Sequence, residues 1–238
     1  MSLQAITYEA DGVSMIGQLA VGSGSRKRPG ILVAHESPGV TEHVTRIAER
    51  LADLGYVAFA LDYQGGGIPV TERAEMMRRY DAFMADPSHI RARTQAALET
   101  LLAHPVVDSQ RLAVIGYCYG GTAALELARS GANLKAVVGF HSGLATARPQ
   151  DAVNIKSKVL VCVGADDPVI PAEQRAAFEL EMTVAKVDWQ MNVYGATGHS
   201  FTNPAADSWG MPGFAYNAQS DRRAWNAMLA LFAETLQV

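Results

Sequence analysis

The sequence has no long apolar run, no block of like charges and only two cysteines, and each absence excludes a class of protein. No apolar stretch approaches the roughly 20 residues that a membrane-spanning helix requires. The formal net charge is −4, so neither nucleic acid nor an anionic membrane surface is expected as a partner. Two cysteines do not make a disulfide framework, and the N-terminus shows no secretory signal. We therefore expect a protein of the reducing cytoplasm.

What the chain does have is a regular alternation of short apolar runs and helical patterns. Hydrophobic residues make up 49% of 238 residues, enough for a large core. The spacing predicts strands over 4–8, 13–21, 30–34, 56–61, 112–115, 134–140, 159–163 and 187–194. It predicts helices over 44–54, 72–84, 91–102, 122–129, 171–182 and 222–236. Such alternation indicates a mostly parallel central sheet with helices on both faces, in a single domain over residues 1–238.

One short motif carries most of the chemical information. Residues 116–121, Gly-Tyr-Cys-Tyr-Gly-Gly, lie between a predicted strand and a predicted helix. This is the G-x-S-x-G nucleophile elbow with cysteine in the serine position. Small residues are needed around it because the strand and the helix pass closely and the nucleophile's backbone is strained. At a helix N-terminus, the thiolate form of Cys118 is favoured.

A base and an acid follow the elbow in the chain. His199 lies in a glycine-bearing loop after the last predicted strand, where a general base is expected. Asp166 and Asp167 follow the strand over 159–163, and either carboxylate is a candidate to orient the histidine, although both also suit the start of a helix. The order nucleophile, acid, histidine is that of the α/β-hydrolase fold.

An oxyanion hole needs two backbone N–H groups directed at the developing negative charge. The amide of the residue after the nucleophile, Tyr119, is one expected donor. The second is expected from the loop after the strand over 30–34, where we choose Ser37.

Over nearly its whole length the chain resembles the dienelactone hydrolase family. The residues that carry the resemblance are 35–39 (His-Glu-Ser-Pro-Gly), 54–58 with Asp62-Tyr63, the elbow, 164–171 (Gly-Ala-Asp-Asp-Pro-Val-Ile-Pro) and 198–201 (Gly-His-Ser-Phe). The resemblance implies a triad of Cys118, His199 and Asp167, with Asp167 preferred to Asp166. It also implies that the Glu36 carboxylate contacts the thiol at rest and is displaced by substrate.

The sequence departs from the family where the substrate is recognised. Members that cleave dienelactone hold the substrate carboxylate with two arginines, and one of these positions is occupied here by the neutral Asn203. For the other arginine, Arg73, Arg78 and Arg79 are candidates. An amide cannot form the bidentate pair that arginine makes with a carboxylate.

The leading interpretation is a hydrolase of small-molecule esters or lactones that acts through a thioester and needs no cofactor or metal. Two alternatives stay open: a related hydrolase of thioesters or peptides, and a non-catalytic protein that senses oxidants through the elbow thiol. Cys162, in an apolar strand, is expected to be inert packing. His141 is a possible pocket residue, and the aromatic side chains of Trp209, Phe214 and Tyr216 suggest either a lid or core packing.

Overall fold

The computed structural model describes residues 3–237 and is built around one eight-stranded sheet. The strands lie in the order β1-β2-β4-β3-β5-β6-β7-β8. Their bounds are β1 Leu3–Ala10, β2 Val13–Val21, β3 Arg28–Ala34, β4 Val57–Leu61, β5 Val107–Tyr117, β6 Ala136–Phe140, β7 Lys158–Gly164 and β8 Trp189–Tyr194. The helices are α1 Glu42–Asp53, α2 Arg73–Ala85, α3 Ser88–Leu102, α4 Tyr119–Arg129, α5 Ala172–Val184 and α6 Ala218–Leu236.

The pairing of the strands matches the predicted sheet. β1, β2 and β4 pair antiparallel, and every pair from β4 through β3 to β8 is parallel. The β1–β2 turn is formed by Asp11 and Gly12, both at positive φ. Because parallel strands end at the same edge, the loops that follow β3 to β8 meet there.

Helices cover both faces of the sheet, and the strands alternate between the two resulting cores. In β3, Leu32 faces the core beneath α3, α4 and α5, whereas Ile31 and Val33 face the core beneath α1 and α6. A side-chain period of two residues in the strands produces this division. The predicted α/β-hydrolase fold, a mostly parallel sheet between helical layers, is confirmed.

The element boundaries differ most around the elbow. β5 begins at Val107 rather than 112, because its polar first half pairs with the start of β3. α4 begins at Tyr119 rather than 122, so Gly120 and Gly121 lie inside the helix. All eleven residues of α4 are buried. Because the helix lies so close to the sheet, its first turn needs residues with small side chains, and Gly120 and Gly121 supply them.

Two further differences lie outside the sheet. Short 3-10 helices over Pro149–Asn154 and Pro204–Ser208 were not predicted, and α6 begins four residues earlier than expected. The Asn217 side chain accepts a hydrogen bond from the Ser220 amide and so caps α6. Among residues 3–237, no helix combines the length and apolar character needed to cross a bilayer.

Candidate active site

Three of the sequence-predicted residues meet at the carboxyl edge of the sheet. Cys118 lies directly between β5 and α4, Asp167 follows β7, and His199 follows β8. Since β5, β6, β7 and β8 are neighbours, these three loops are adjacent in space although they are distant in sequence.

The turn at Cys118 is a strained elbow. Its φ is 53° and its ψ is −119°, a conformation that L-residues rarely adopt. The chain holds this geometry through close backbone approach: a Cβ on Gly116 would lie 2.0 Å from the Gly120 carbonyl oxygen. A Cβ on Gly120 would lie 2.2 Å from the carbonyl oxygen of Ala34. The two glycines are therefore needed for α4 to meet the sheet beneath the cysteine.

The side chains of Cys118, His199 and Asp167 form a continuous chain of contacts. His199 Nε2 lies 3.1 Å from Cys118 Sγ, and His199 Nδ1 lies 2.8 Å from Asp167 Oδ2. The other Asp167 oxygen accepts a hydrogen bond of 2.8 Å from the Val169 amide, which orients the carboxylate. Asp166 is exposed, so of the two aspartates only Asp167 lies beside the histidine.

The neighbours of His199 favour the protonated form of its ring. Burial opposes protonation of this imidazole, but the Cys118 thiolate and the hydrogen bond to Asp167 outweigh it and raise the pKa of His199 to about 10. These neighbours therefore make the His199 ring more basic than a free imidazole.

The two amides expected to form an oxyanion hole have no competing acceptor. In the hydrogen bonds recorded over residues 3–237, neither the Tyr119 N–H nor the Ser37 N–H has a partner. Tyr119 is the first residue of α4, where a helical N–H has no acceptor in the preceding turn. Their assignment to an oxyanion hole stays a prediction.

Glu36 is buried, and the recorded hydrogen-bond partners of its carboxylate are Asn203 and His43. Its Oε2 accepts a hydrogen bond of 2.7 Å from Asn203 Nδ2 and lies 3.2 Å from His43 Nδ1. The sulfur of Cys118 is in contact with His199 instead. Asn203 therefore binds Glu36 in this chain.

The remaining arginine candidates lie apart from this contact. Arg78 and Arg79 on α2 both pair with Glu75, each at 2.7 Å. Neither has a recorded contact with Cys118, Asp167 or His199 among the described residues.

His141, a possible pocket residue from the sequence, contacts the elbow, and Thr202, which had no role assigned from the sequence, contacts His141. His141 Nδ1 lies 3.1 Å from the Cys118 amide, which donates to it, and His141 Nε2 lies 2.8 Å from Thr202 Oγ1. Burial, with the nearby His199, lowers the pKa of His141 well below its ordinary value, so the ring is neutral. In the sequence, only their positions could have indicated these two residues. His141 directly follows β6, and Thr202 lies three residues after His199.

The structure also shows the surroundings of Cys162 and of the aromatic side chains that follow His199. Cys162 is buried in β7, where burial raises the pKa of its thiol to about 12, as expected for packing. Phe214 packs against His199 with 4.8 Å between ring centroids, whereas Trp209 lies at the surface.

Within the described part of the chain, no group of three or more His, Cys, Asp or Glu side chains is placed to hold a metal ion.

Comparison with known proteins identifies the family of the chain. The model of the dienelactone hydrolase family matches residues 16–236. A solved protein called m3DLH is 43% identical, with a TM-score of 0.95 and coverage of 99% of this chain and 98% of its own. The dienelactone hydrolase-like promiscuous phosphotriesterase P91, from metagenomic libraries, is 42% identical, with a TM-score of 0.92 and 98% of both chains covered.

A relative from Bradyrhizobium is more distant in sequence. It is named "Probable 2-oxo-3-(5-oxofuran-2-ylidene)propanoate lactonase", and it is 27% identical over 239 residues, covering 96% of this chain and 93% of its own. The family match spans more than nine-tenths of the chain. The chain therefore belongs to the dienelactone hydrolase family, and it is a hydrolase.

Proposed function

We propose that this protein hydrolyses ester or lactone bonds, with Cys118 as the nucleophile, His199 as the general acid and base, and Asp167 as the residue that orients His199. The observation that carries the proposal is the chain of two contacts, 3.1 Å from Cys118 Sγ to His199 and 2.8 Å from His199 to Asp167. A nucleophile, a base and an orienting acid in this order are the requirements for acyl transfer.

In the first half-reaction, the thiolate of Cys118 attacks the carbonyl carbon and a C–S bond forms. The carbonyl oxygen becomes negatively charged, and the N–H groups of Tyr119 and Ser37 donate hydrogen bonds to it. As the C–O bond breaks, protonated His199 gives its proton to the leaving alkoxide. The product is a thioester on Cys118 and a free alcohol, or a ring-opened hydroxyl when the substrate is a lactone.

In the second half-reaction, neutral His199 takes a proton from water, and the water oxygen attacks the thioester carbon. The same two amides bind the second oxyanion. The C–S bond breaks, the carboxylic acid leaves, and the proton on His199 restores the ion pair with Cys118. These steps use side chains and amides of this chain and one water molecule.

The site favours substrates without a carboxylate next to the reacting carbonyl. Asn203 is neutral and already donates to Glu36, which is itself acidic. A second candidate reaction follows, hydrolysis of neutral phosphotriesters, because P91, 42% identical over 98% of the chain, is described as a promiscuous phosphotriesterase. There the thiolate would attack phosphorus, the P–O bond to the leaving group would break, and the two amides would bind the phosphoryl oxygen.

A substrate panel tests the proposal and separates the candidates. Aryl esters, unsubstituted lactones, lactones bearing a carboxylate, thioesters, short peptides and an aryl phosphotriester would be compared with the same enzyme preparation. Turnover of the first two classes, with weaker turnover of carboxylated lactones, is expected. Absence of turnover across the ester and lactone arms would contradict the proposal, and turnover of thioesters or peptides alone would favour that alternative.

The pair of aspartates provides a first mutational prediction. Asp167→Asn should lower kcat for an aryl ester by about 10²- to 10⁴-fold, because the amide does not stabilise the imidazolium and permits the wrong tautomer of His199. Steady-state kinetics with purified protein would measure the effect.

Asp166→Asn is the matched control for this variant. It makes the same chemical change one residue away, at an exposed side chain. Its kcat should stay within about twofold of wild type, as for a surface substitution away from special contacts. Equal losses in the two variants would contradict the role of Asp167.

We propose that, before substrate binds, the Glu36 carboxylate exchanges between two positions. In one it contacts Asn203 and His43, and in the other it contacts the Cys118 thiol and restrains it. A carboxylate near the sulfur disfavours the thiolate, since the two charges are alike. Glu36→Gln should therefore increase the rate of alkylation of Cys118 by iodoacetamide at pH 6 to 7 by about three- to tenfold.

Glu42→Gln is the matched control for the Glu36 variant. Glu42 is an exposed carboxylate that pairs with Arg46 at the start of α1, so its replacement removes the same charge from the surface. It should leave the alkylation rate unchanged. An unchanged rate in Glu36→Gln at every pH from 5 to 10 would rule out the contact between Glu36 and the thiol.

A further inference from the structure

A separate cavity lies between the β1–β2 turn, the loop after β4 and the helices α2 and α3. Its volume is about 290 Å³, and three arginines, Arg78, Arg79 and Arg93, contribute to its walls. No residue of the catalytic site lines it. The cavity therefore has its own set of polar groups, in a region to which the hydrolytic mechanism assigns no role.

One residue of the cavity wall is distant from the elbow along the sheet. Asp11, which lines the cavity, follows β1, and Cys118 follows β5. β1 lies four strand positions from β5, roughly 20 Å at the usual spacing of neighbouring strands. Asp11 is therefore distant from the reacting sulfur, whereas Phe83, which also lines the cavity, lies 6.0 Å from Tyr119 between ring centroids.

The charges around the cavity leave an excess of positive groups. Asp11 is the only carboxylate in its walls, and its Oδ2 is already 2.6 Å from His89 Nδ1 and 3.5 Å from Arg93. Arg78 and Arg79 share the single carboxylate of Glu75. The three guanidinium groups thus pair with only two carboxylates, those of Glu75 and Asp11. The chain as a whole has a formal net charge of −4.

Three residues that line the cavity each have a buried polar atom without a hydrogen-bond partner. Arg79 Nη1, Arg93 Nε and Gln64 Oε1 are inaccessible to solvent and make no hydrogen bond within residues 3–237. Buried donors and acceptors are normally paired, because leaving one unpaired costs free energy. Two N–H groups and one carbonyl of residues that line the cavity therefore lack a partner, and an oxyanion that also carries a hydroxyl group would supply one after a shift of these side chains.

The guanidinium of Arg93 is held in a fixed position. Its central carbon lies 5.1 Å from the centre of the Phe83 ring, and its Nη1 donates to the Tyr63 carbonyl at 3.2 Å. The Gln64 side chain donates from Nε2 to the Ser37 carbonyl at 2.8 Å. A guanidinium ordered before binding loses less entropy when it pairs with a phosphate or carboxylate.

We propose that this cavity binds a small molecule through an oxyanion, a phosphate or a carboxylate with a neighbouring hydroxyl, at Arg79 and Arg93. The ligand would accept hydrogen bonds from the two guanidinium groups and donate its hydroxyl to Gln64. Because these groups lie outside the catalytic site, binding does not depend on the proposed hydrolytic mechanism.

Isothermal titration calorimetry of the full chain tests this inference, with inorganic phosphate and citrate as the two probes and sodium chloride at matched ionic strength as the blank. Saturable binding of at least one probe, at one site per chain, is expected. Tighter binding of phosphate would indicate a phosphorylated ligand, and tighter binding of citrate a hydroxycarboxylate. Absence of saturable binding of both probes up to about 10 mM would overturn the proposal.

Variants locate the binding site. Arg93→Gln and Arg79→Gln should each weaken binding at least about tenfold, as expected when a charge-assisted pair is lost. Arg46→Gln is the matched control, because Arg46 is also a helical arginine paired with a glutamate four residues away, but it is exposed on α1. Thermal melts would show which variants are folded. Wild-type affinity in a folded Arg93→Gln or Arg79→Gln variant would overturn the assignment.

Discussion

Replacing Cys118 by alanine is expected to abolish hydrolysis of aryl esters, with a fall in kcat on the order of 10⁴-fold or more. The reason is chemical, since the side chain of alanine cannot form the thioester that divides the reaction into two steps. The imidazole of His199 would remain beside Asp167, yet it would have no sulfur to activate. Steady-state release of nitrophenol by the purified variant measures the effect.

Cys162→Ala is the control for the loss of a thiol. Cys162 is the other cysteine of the chain, buried in β7 with its sulfur 3.6 Å from the Tyr194 hydroxyl. Its replacement should preserve kcat, and a modest loss of stability would not affect that comparison. Hydrolysis by Cys118→Ala at the wild-type rate would show that another residue is the nucleophile.

Replacing Gly120 by alanine is expected to have a large effect on folding. The added methyl carbon would lie 2.2 Å from the Ala34 carbonyl oxygen and 2.5 Å from the carbonyl oxygen of His35. Both contacts are with backbone, so a change of rotamer cannot relieve them. We expect a loss of at least about 3 kcal/mol in the free energy of unfolding, at the upper end for overpacking, together with loss of activity.

Urea unfolding followed by circular dichroism measures that loss. Gly195→Ala is the matched control, because a Cβ on Gly195 would have no heavy atom within 4 Å. The control should differ from wild type by about 0.5 kcal/mol at most. Wild-type stability in Gly120→Ala would mean that α4 does not approach β3 as closely as the structure indicates.

The sheet and its helical layers followed from local patterns, and the errors in the element boundaries have a common cause. Apolar runs such as 30–34 and 159–163 located strands because a strand buried on both faces is apolar throughout. The first half of β5 is polar, so no apolar run marked it, and only its pairing with β3 defines it as strand. The start of α4 was missed because glycines ordinarily indicate a turn.

The residues of the candidate site could likewise be predicted only in part from the sequence. Tyr119 and Ser37 could be chosen from the sequence because the elbow and the loop after β3 have recognisable positions in this fold. The contacts of Glu36 with Asn203 and His43 could not, since they depend on how buried side chains pack. His141 was noticed in the sequence, but its hydrogen bond to the Cys118 amide depends on the positive φ of the elbow and the neighbouring end of β6.

By itself the sequence determined the order of strands and helices, the cysteine elbow and the family, because each depends on residue types within a few positions of one another. Tertiary structure decided which groups meet. Cys118 and His199 are 81 residues apart, and Asn203 and Glu36 are 167 apart. The contact of His199 with Asp167 and the grouping of Arg79 with Arg93 around one cavity also depend on the tertiary structure. Such contacts depend on the packing of whole elements, which no local pattern of residues specifies.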